Sequence, residues 1–541
     1  MKYILNLHLS VIIRTTLIFC FLSLSACSPL WGSNALFETE QFSGLSTAEV
    51  TQTASLMNTS NPITPSTTPS EFITPTFTPI NNPKITSTPV ITKATGTTTN
   101  STEISLPPII YYSQPGDSLS VVASHFGVDI TDIHSEERLS ETGLINPNTL
   151  LSIPSVLNIE LTPSIQIMPD SEIIFSPSAI DFDVYRYVAA AGGYLNNYSE
   201  WVTNTTSGVE VIKRQALDNS INPRILLALL EYQSGWVTSQ PSNLADIDYP
   251  LGYIDLFHQG LFNQYLLTAR DLSIGYYGWR SGKLTELEFS GGEKIRIAPE
   301  LNAGTVSILY YFSLKNSYTD WLAIIDPNIG FLKLYENMFG DPWARAQKVE
   351  PLFPPGLTQD QLNLPFSPGE TWNLTGGPHA AWEKEGALAA LDFAPAADQK
   401  GCYVSESWVL AAASGQVVRS SYGVVILDLD NDGYEQTGWN ILYLHIAAAD
   451  RVPNGTLLNI DDRIGHPSCE GGRSTGTHFH IARKFNGEWI LADGPIPFEL
   501  SGWVAHAGEK PYDGTLTKDG RTVVALPNGS AITSIIREAD E

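Results

Sequence analysis

The alternation of apolar and polar positions changes its rhythm several times along the chain. Residues 28–106 have almost none: Thr, Ser, Pro and Asn dominate, as in Thr64-Pro65-Ser66-Thr67-Thr68-Pro69. Such a stretch buries too little apolar surface to offset chain entropy, so it reads as a disordered linker, extended where proline is dense. Residues 107–156 predict a small β/α unit. Tyr112 to Leu119 is a strand and turn, Val121 to Val128 a helix ending at Gly127, and Asn146 to Pro154 a second strand. A connector covers 157–179. From 180 to 350 the pattern is mainly helical. Ile225–Leu230 and Thr305–Phe312 are apolar enough for buried helices, and Pro223 after Asn222 fits a first helical turn. Prolines at 351–367 mark a boundary. Short, closely spaced strand signals follow over 368–515, among them Gly415–Val418, Val424–Leu427, Trp439–His445 and Gly487–Ile490. Their spacing predicts a mainly antiparallel β domain. Residues 516–541 read as further strands with a charged, frayed end.

With 541 residues, 43% of them hydrophobic, the chain is too long for one core and predicts about three globular units. A net charge of −27 argues against nucleic acid as a partner, since phosphates call for Lys and Arg. The first 27 residues open with Lys2 and Arg14. A short apolar run, Thr16–Ser23, then leads to Leu24-Ser25-Ala26-Cys27. This resembles a bacterial lipoprotein signal, which implies export and a lipid on Cys27 as membrane anchor; an ordinary signal peptide would also place the chain outside the cytoplasm. Of four cysteines, Cys402 and Cys469 lie in the C-terminal region, and in an exported chain they read as one disulfide.

Two further resemblances concern the middle of the chain. Gly116-Asp117-Ser118-Leu119, Gly127-Val128 and Leu151-Ser152-Ile153-Pro154 resemble a LysM domain, which implies a βααβ fold and binding to N-acetylglucosamine-containing glycans such as peptidoglycan. Asn222 to Trp236 resembles the catalytic helix of lysozyme-like lytic transglycosylases. Where that family carries its acidic residue this chain has Gln233, followed by Ser234-Gly235-Trp236. Glutamine neither gives nor takes the proton that glycosidic cleavage needs, and Glu231 sits about 200° away around a helix. The helical domain is therefore expected to be non-catalytic.

The candidate chemistry lies near the C-terminus. Ser474-Thr475-Gly476-Thr477-His478-Phe479-His480-Ile481 alternates after a glycine turn, so as a strand it presents His478 and His480 on one face. Two imidazoles side by side suit one metal ion and one proton-transfer group. Upstream lie Gly376-Gly377-Pro378-His379, then Leu391-Asp392-Phe393, then Leu442-Tyr443-Leu444-His445. In this order the motifs resemble lysostaphin-like (LytM-like) zinc metalloendopeptidases, which cut peptide bonds in peptidoglycan. Residue by residue, the resemblance implies one Zn2+ on His379, Asp392 and His480, with His445 and His478 as catalytic histidines.

The family keeps its first His and its Asp closer together, whereas here residues 380–391 intervene. If His379 ends one strand and Asp392 sits in the next, a longer hairpin preserves the site; otherwise His466 is the alternative ligand. Asp428-Leu429-Asp430-Asn431-Asp432-Gly433 has the spacing of a calcium loop, but Trp439 stands at the twelfth position and the flanks look like strands, so it reads as a solvated acidic hairpin turn. Besides the exported peptidase, two readings stay open: a catalytically silent LytM-like regulator of another wall hydrolase, and a glycan-binding scaffold.

Overall fold

The computed structural model describes residues 106–202, 204–397 and 399–539. Cys27 and the 28–105 part of the linker lie outside these. Among the described residues no helix is long and apolar enough to cross a membrane.

The small N-terminal unit pairs β1 (Ile109–Tyr112) antiparallel with β2 (Leu150–Ile153) and lays α1 (Leu119–Phe126) over them. Ser118 caps α1 through Val121 N–H, and Gly127 at φ 67° ends it. Where a βααβ fold predicts a second helix there is a single 3₁₀ turn, Ile130–Asp132, held by Asp129. His134, two residues after that turn, already bridges to Ser152 of β2, which leaves no room for a full helix there.

This unit docks on the helical region. His125 stacks on Trp279 with centroids 3.5 Å apart, and its Nε2 lies 3.0 Å from the Trp279 carbonyl. Burial lowers the pKa of His125 to about 3. The ordinary value is near 6.5, so between those limits the unfolded chain binds a proton that the folded chain does not, and stability falls as pH drops through that window. Between pH 7.5 and 5 the wild type is expected to lose about 2 kcal/mol more than a His125→Phe variant. Urea unfolding at both pH values checks this; equal losses would show that His125 is not the titrating group.

The helical region begins earlier than the sequence suggests, because the short helix Asp170–Ile173 within the connector is already buried. Its main helices are α2 (Gly208–Asn219), α3 (Pro223–Ser234), α4 (Leu261–Arg280) and α5 (Ala303–Ser313). α3 and α5 follow from the apolar runs noted above; every residue from Ile225 to Leu230 is buried.

The C-terminal region is built on a nine-stranded antiparallel sheet. Its principal strands are β3 (Thr371–Ala380), β4 (Leu388–Pro395), β5 (Gly415–Ser421), β6 (Val424–Asp428), β7 (Trp439–Leu444), β8 (Leu457–Leu458), β9 (Phe479–Phe485) and β10 (Ser534–Ile536). They lie in the order β8-β5-β6-β7-β9-β4-β3-β10, with Glu488–Trp489 paired on β9. The expected frayed tail is corrected here. β10 closes the sheet edge against β3, and Arg537 is fully buried with its guanidinium on the Phe366 carbonyl and Asp461.

The sheet's two faces sort by the period of two. Leu391, Phe393, Val425, Leu427, Tyr443, Phe479 and Ile481 fill one core. Ala390, Val424, Ile426, Leu442, Leu444 and Ala482 join the core of the helical region. The helices therefore cover the face to which Asp392 and His480 also belong by register. Polar contacts seal the seam: Arg419 bridges Asp218 of α2 and Glu435, and Arg280 of α4 reaches Glu488.

Candidate metal centre

The site forms where β3, β4 and β9 meet. His480 pairs directly with Asp392 across β9 and β4, so both side chains project from the same face. His379 needs a local irregularity to join them. Gly376 stands opposite Asp392, but His379, three residues on, stands opposite Ala390, two residues back. The extra residue is a bulge, and it turns His379 onto the Asp392 face, where regular pairing would have turned it away. Gly376 is required at this point, since a Cβ there would lie 2.7 Å from Asp392 Oδ2. The residues between His379 and Asp392 form the hairpin end, so the longer spacing leaves both strands in register.

Three donor atoms converge. His379 Nε2 is 3.3 Å from Asp392 Oδ1, His480 Nδ1 is 3.2 Å from the same oxygen, and the two ring nitrogens are 3.0 Å apart. Two ligands at the usual 2.0–2.1 Å from a tetrahedral zinc stand about 3.3 Å apart, which this triangle matches. The tautomers agree as well. His379 Nδ1 sits 2.9 Å from the Gly377 carbonyl and His480 Nε2 sits 3.0 Å from the Ala381 carbonyl, so each outer nitrogen donates and each inner one is left as a lone pair. Asp392 Oδ1 is buried with no hydrogen-bond partner among the described residues. Two facing lone pairs and a bare carboxylate oxygen are a costly arrangement without a cation, so the donor set fits a zinc-type ion.

His445 and His478 flank this triangle. Their rings are 4.6 Å apart, and His478 Nε2 is 3.7 Å from Asp392 Oδ1. The expected strand around His478 begins one residue later, at Phe479. His478 is held instead by an isolated bridge to Ser468 and by its Nδ1, 2.8 Å from the Gly476 carbonyl. His445 follows β7 at φ 65°, a left-handed conformation a non-glycine residue adopts at some cost. Its carbonyl takes Ser468 N–H and its Nδ1 faces the Glu470 carbonyl at 2.8 Å. Both rings thus anchor through Nδ1. Cys469, bonded to Cys402, lies between those two anchoring residues, so the disulfide braces the loop that sets His445.

The electrostatics follow from burial and these neighbours. Burial would raise the Asp392 carboxyl, but the imidazoles of His379 and His478 beside it hold it well below the usual range. Burial, reinforced by His478 and His480, lowers His445 to about 3, so it is neutral at physiological pH. Burial also lowers His480, whereas Asp392 outweighs burial at His379 and raises it.

His466 stands apart, its ring tilted against Trp408 and its Nδ1 at the Ser407 carbonyl. Glu231 is engaged in the turn after α3, accepting from the N–H groups of Val237 and Thr238. Tyr512 was not foreseen: its ring stacks on His379 with centroids 4.1 Å apart, and its backbone exchanges hydrogen bonds with Gly377 and Pro378. Nothing in the sequence near His379 signals a residue so far along the chain.

Residues 166–352 match the family described as "LasA, N-terminal domain", a different family from the lysozyme-like one that Gln233 to Trp236 resembles. The chain is 24% identical over 351 residues to "Protease LasA" of Pseudomonas aeruginosa, spanning 61% of this chain and 77% of that protein. It is 26% identical over 171 residues to "Beta-lytic metalloendopeptidase" of Lysobacter enzymogenes, spanning 30% of this chain and 90% of that one. Among solved structures, "A Novel M23 Metalloprotease Pseudoalterin from Deep-sea" is similar at 23% identity and a TM-score of 0.26, covering 31% of this chain and 96% of that chain.

Proposed function

We propose that the chain is an exported zinc metalloendopeptidase that hydrolyses peptide bonds in peptidoglycan. The observation that carries this reading is the triangle of His379, Asp392 and His480, with inner lone pairs fixed by outer hydrogen bonds. Similarity to a protease and a metalloendopeptidase supports it. His379, Asp392 and His480 would hold the metal. Zinc, when bound, brings the pKa of a water near 7 and polarises a carbonyl.

The protein's own part falls to the two flanking histidines. Each presents Nε2 while Nδ1 is tied to a backbone carbonyl. One accepts the proton of the attacking water and returns it to the leaving amine. The other can steady the oxyanion of the tetrahedral intermediate from Nε2 only as an imidazolium, protonated at both ring nitrogens. Cys27 would carry the lipid that anchors the exported chain to the membrane, and the β1–α1–β2 unit would hold it on glycan, raising local substrate concentration.

One observation favours a second reading, in which this form of the chain is held in check. His379, Asp392, His445 and His480 are each 6% exposed or less, and the helices lie on their face of the sheet.

The test is digestion of purified peptidoglycan by the full chain, as prepared, after chelation, after zinc is restored, and after a protease has clipped residues 351–367. New amino groups without new reducing ends are expected, lost on chelation and regained with about one zinc per chain. Release only after clipping would support the restrained form. New reducing ends without amines would overturn the peptidase reading, and zinc without release in any preparation would favour a silent regulator.

A further inference from the structure

The acidic hairpin between β6 and β7 is solvated at its tip, where Asp430 and Asp432 are exposed, as its sequence predicts, but it is buried at its base. Asp428 is 0% exposed, and the carboxylates of Asp428, Asp430 and Asp432 lie within 4.8 Å of one another. Neighbouring cations do not neutralise them: Arg419 pairs with Asp218 and Glu435, and Lys484 pairs with Glu435. Gly433 turns the loop at φ 89°, the sixth-position turn that calcium loops use. Gly438 leaves space for Asp430, whose Oδ2 would be 2.2 Å from a Cβ there.

The twelfth position, Trp439, offers no oxygen, which counted against an ion. The next residue supplies one. Asn440 pairs directly with Asp428 across the two strands, on the same face. It is 0% exposed, and its Nδ2 donates back into the loop, to the Thr437 carbonyl at 2.7 Å. Its Oδ1 is buried without a hydrogen-bond partner among the described residues. A buried amide oxygen left bare costs roughly 1–3 kcal/mol, and its residue is the cross-strand neighbour of Asp428, the buried member of the cluster.

We propose that Asp428, Asp430, Asp432 and Asn440 Oδ1, with the Tyr434 carbonyl at the seventh position, bind one calcium ion. The set is all oxygen and rich in carboxylate, as a hard and geometrically tolerant cation requires. The site lies at the far end of β7 from His445, roughly 17–20 Å away at strand rise, so it is separate from the His/Asp triangle. Glu435, in the same loop, pairs with Arg419, which in turn pairs with Asp218 of α2. Ion binding therefore stiffens the seam between sheet and helices.

The zinc-loaded full chain is titrated with Tb3+, whose emission Tyr434 and Trp439 can sensitise, and the lanthanide is then displaced with Ca2+. Equilibrium dialysis gives the stoichiometry. About one Ca2+ per chain is expected, with a Kd no weaker than about 10⁻³ M. It should be lost in Asp430→Asn/Asp432→Asn, two exposed positions whose change leaves the fold intact, and weakened about tenfold or more in Asn440→Ala, with zinc content unchanged. No binding at roughly 5 mM, above the weakest loops of this type, or equal binding by the double variant would overturn the site. Wild-type affinity in Asn440→Ala would remove Asn440 from it.

Discussion

An Asp392→Ala chain is expected to purify without zinc and to cleave peptidoglycan no faster than chelated wild type. Asp392 is the hub of the site. Its Oδ1 lies within 3.7 Å of a ring nitrogen of His379, His478 and His480. It is also the only carboxylate of the triangle, so its loss removes the negative charge that balances a dication in a buried place. Altering residues that merely support a ligand costs about 10–100-fold in metal affinity, and removing a ligand should exceed that. Asp392→Asn keeps the side chain's volume and is expected to fail similarly, which separates lost charge from lost packing. Metal analysis, with circular dichroism to confirm folding, checks both. About one zinc per chain in either variant, with peptide release intact, would sink the assignment.

The largest effect on stability is expected from Arg280→Met. Arg280 is a nearly buried knot: its Nη2 donates to Asp170 at 2.8 Å, its Nε to Glu488 at 2.9 Å, and its Nη1 to the Pro115 carbonyl. One guanidinium thus joins the β1–α1–β2 unit, the helices and the sheet. Its side chain is 9% exposed and that of Glu488 is 2% exposed. Methionine leaves two buried carboxylates without their cation, which costs about 3–5 kcal/mol. Adding Glu488→Gln should recover part of this, because the stranded charge is then gone. Urea unfolding of the single and double variants checks it; a loss below about 1 kcal/mol would mean that water reaches the pair.

Much of this was legible along the chain because it is written in short-range terms. Short apolar runs mark β6 and β7, alternation marks the start of β9, and a glycine marks the end of α1 and of α3. Joining His379, Asp392 and His480 in one site rested on the family resemblance, and pairing Cys402 with Cys469 needed only the expectation of export. What the sequence withheld depends on distant partners or a single irregular residue. The bulge at Gly376 to Pro378 decides which way His379 points, yet an alternating pattern carries no sign of it. Tyr512 reaches His379 through tertiary folding alone. Asp428 looked solvated because Asp and Asn favour turns; its burial comes from the helices laid over that face of the sheet. The tail looked loose because its charge outweighed one apolar pair, Ile535 and Ile536, although Ile535 is 1% exposed against β3.

The hairpin joining β3 to β4 has a consequence for descent. His379 and Asp392 are held by pairing between strands, not by the length of chain between them. Residues added at the hairpin tip lengthen it outward and leave both donors where they were. Residues inserted at this spot are therefore expected to leave the metal triangle in place. Here the tip lies against the helices, with Gly386 close to Ser273 of α4. A search that demands fixed spacing between the first histidine and the aspartate would pass over such chains, while one that asks for the two strands and their register would find them.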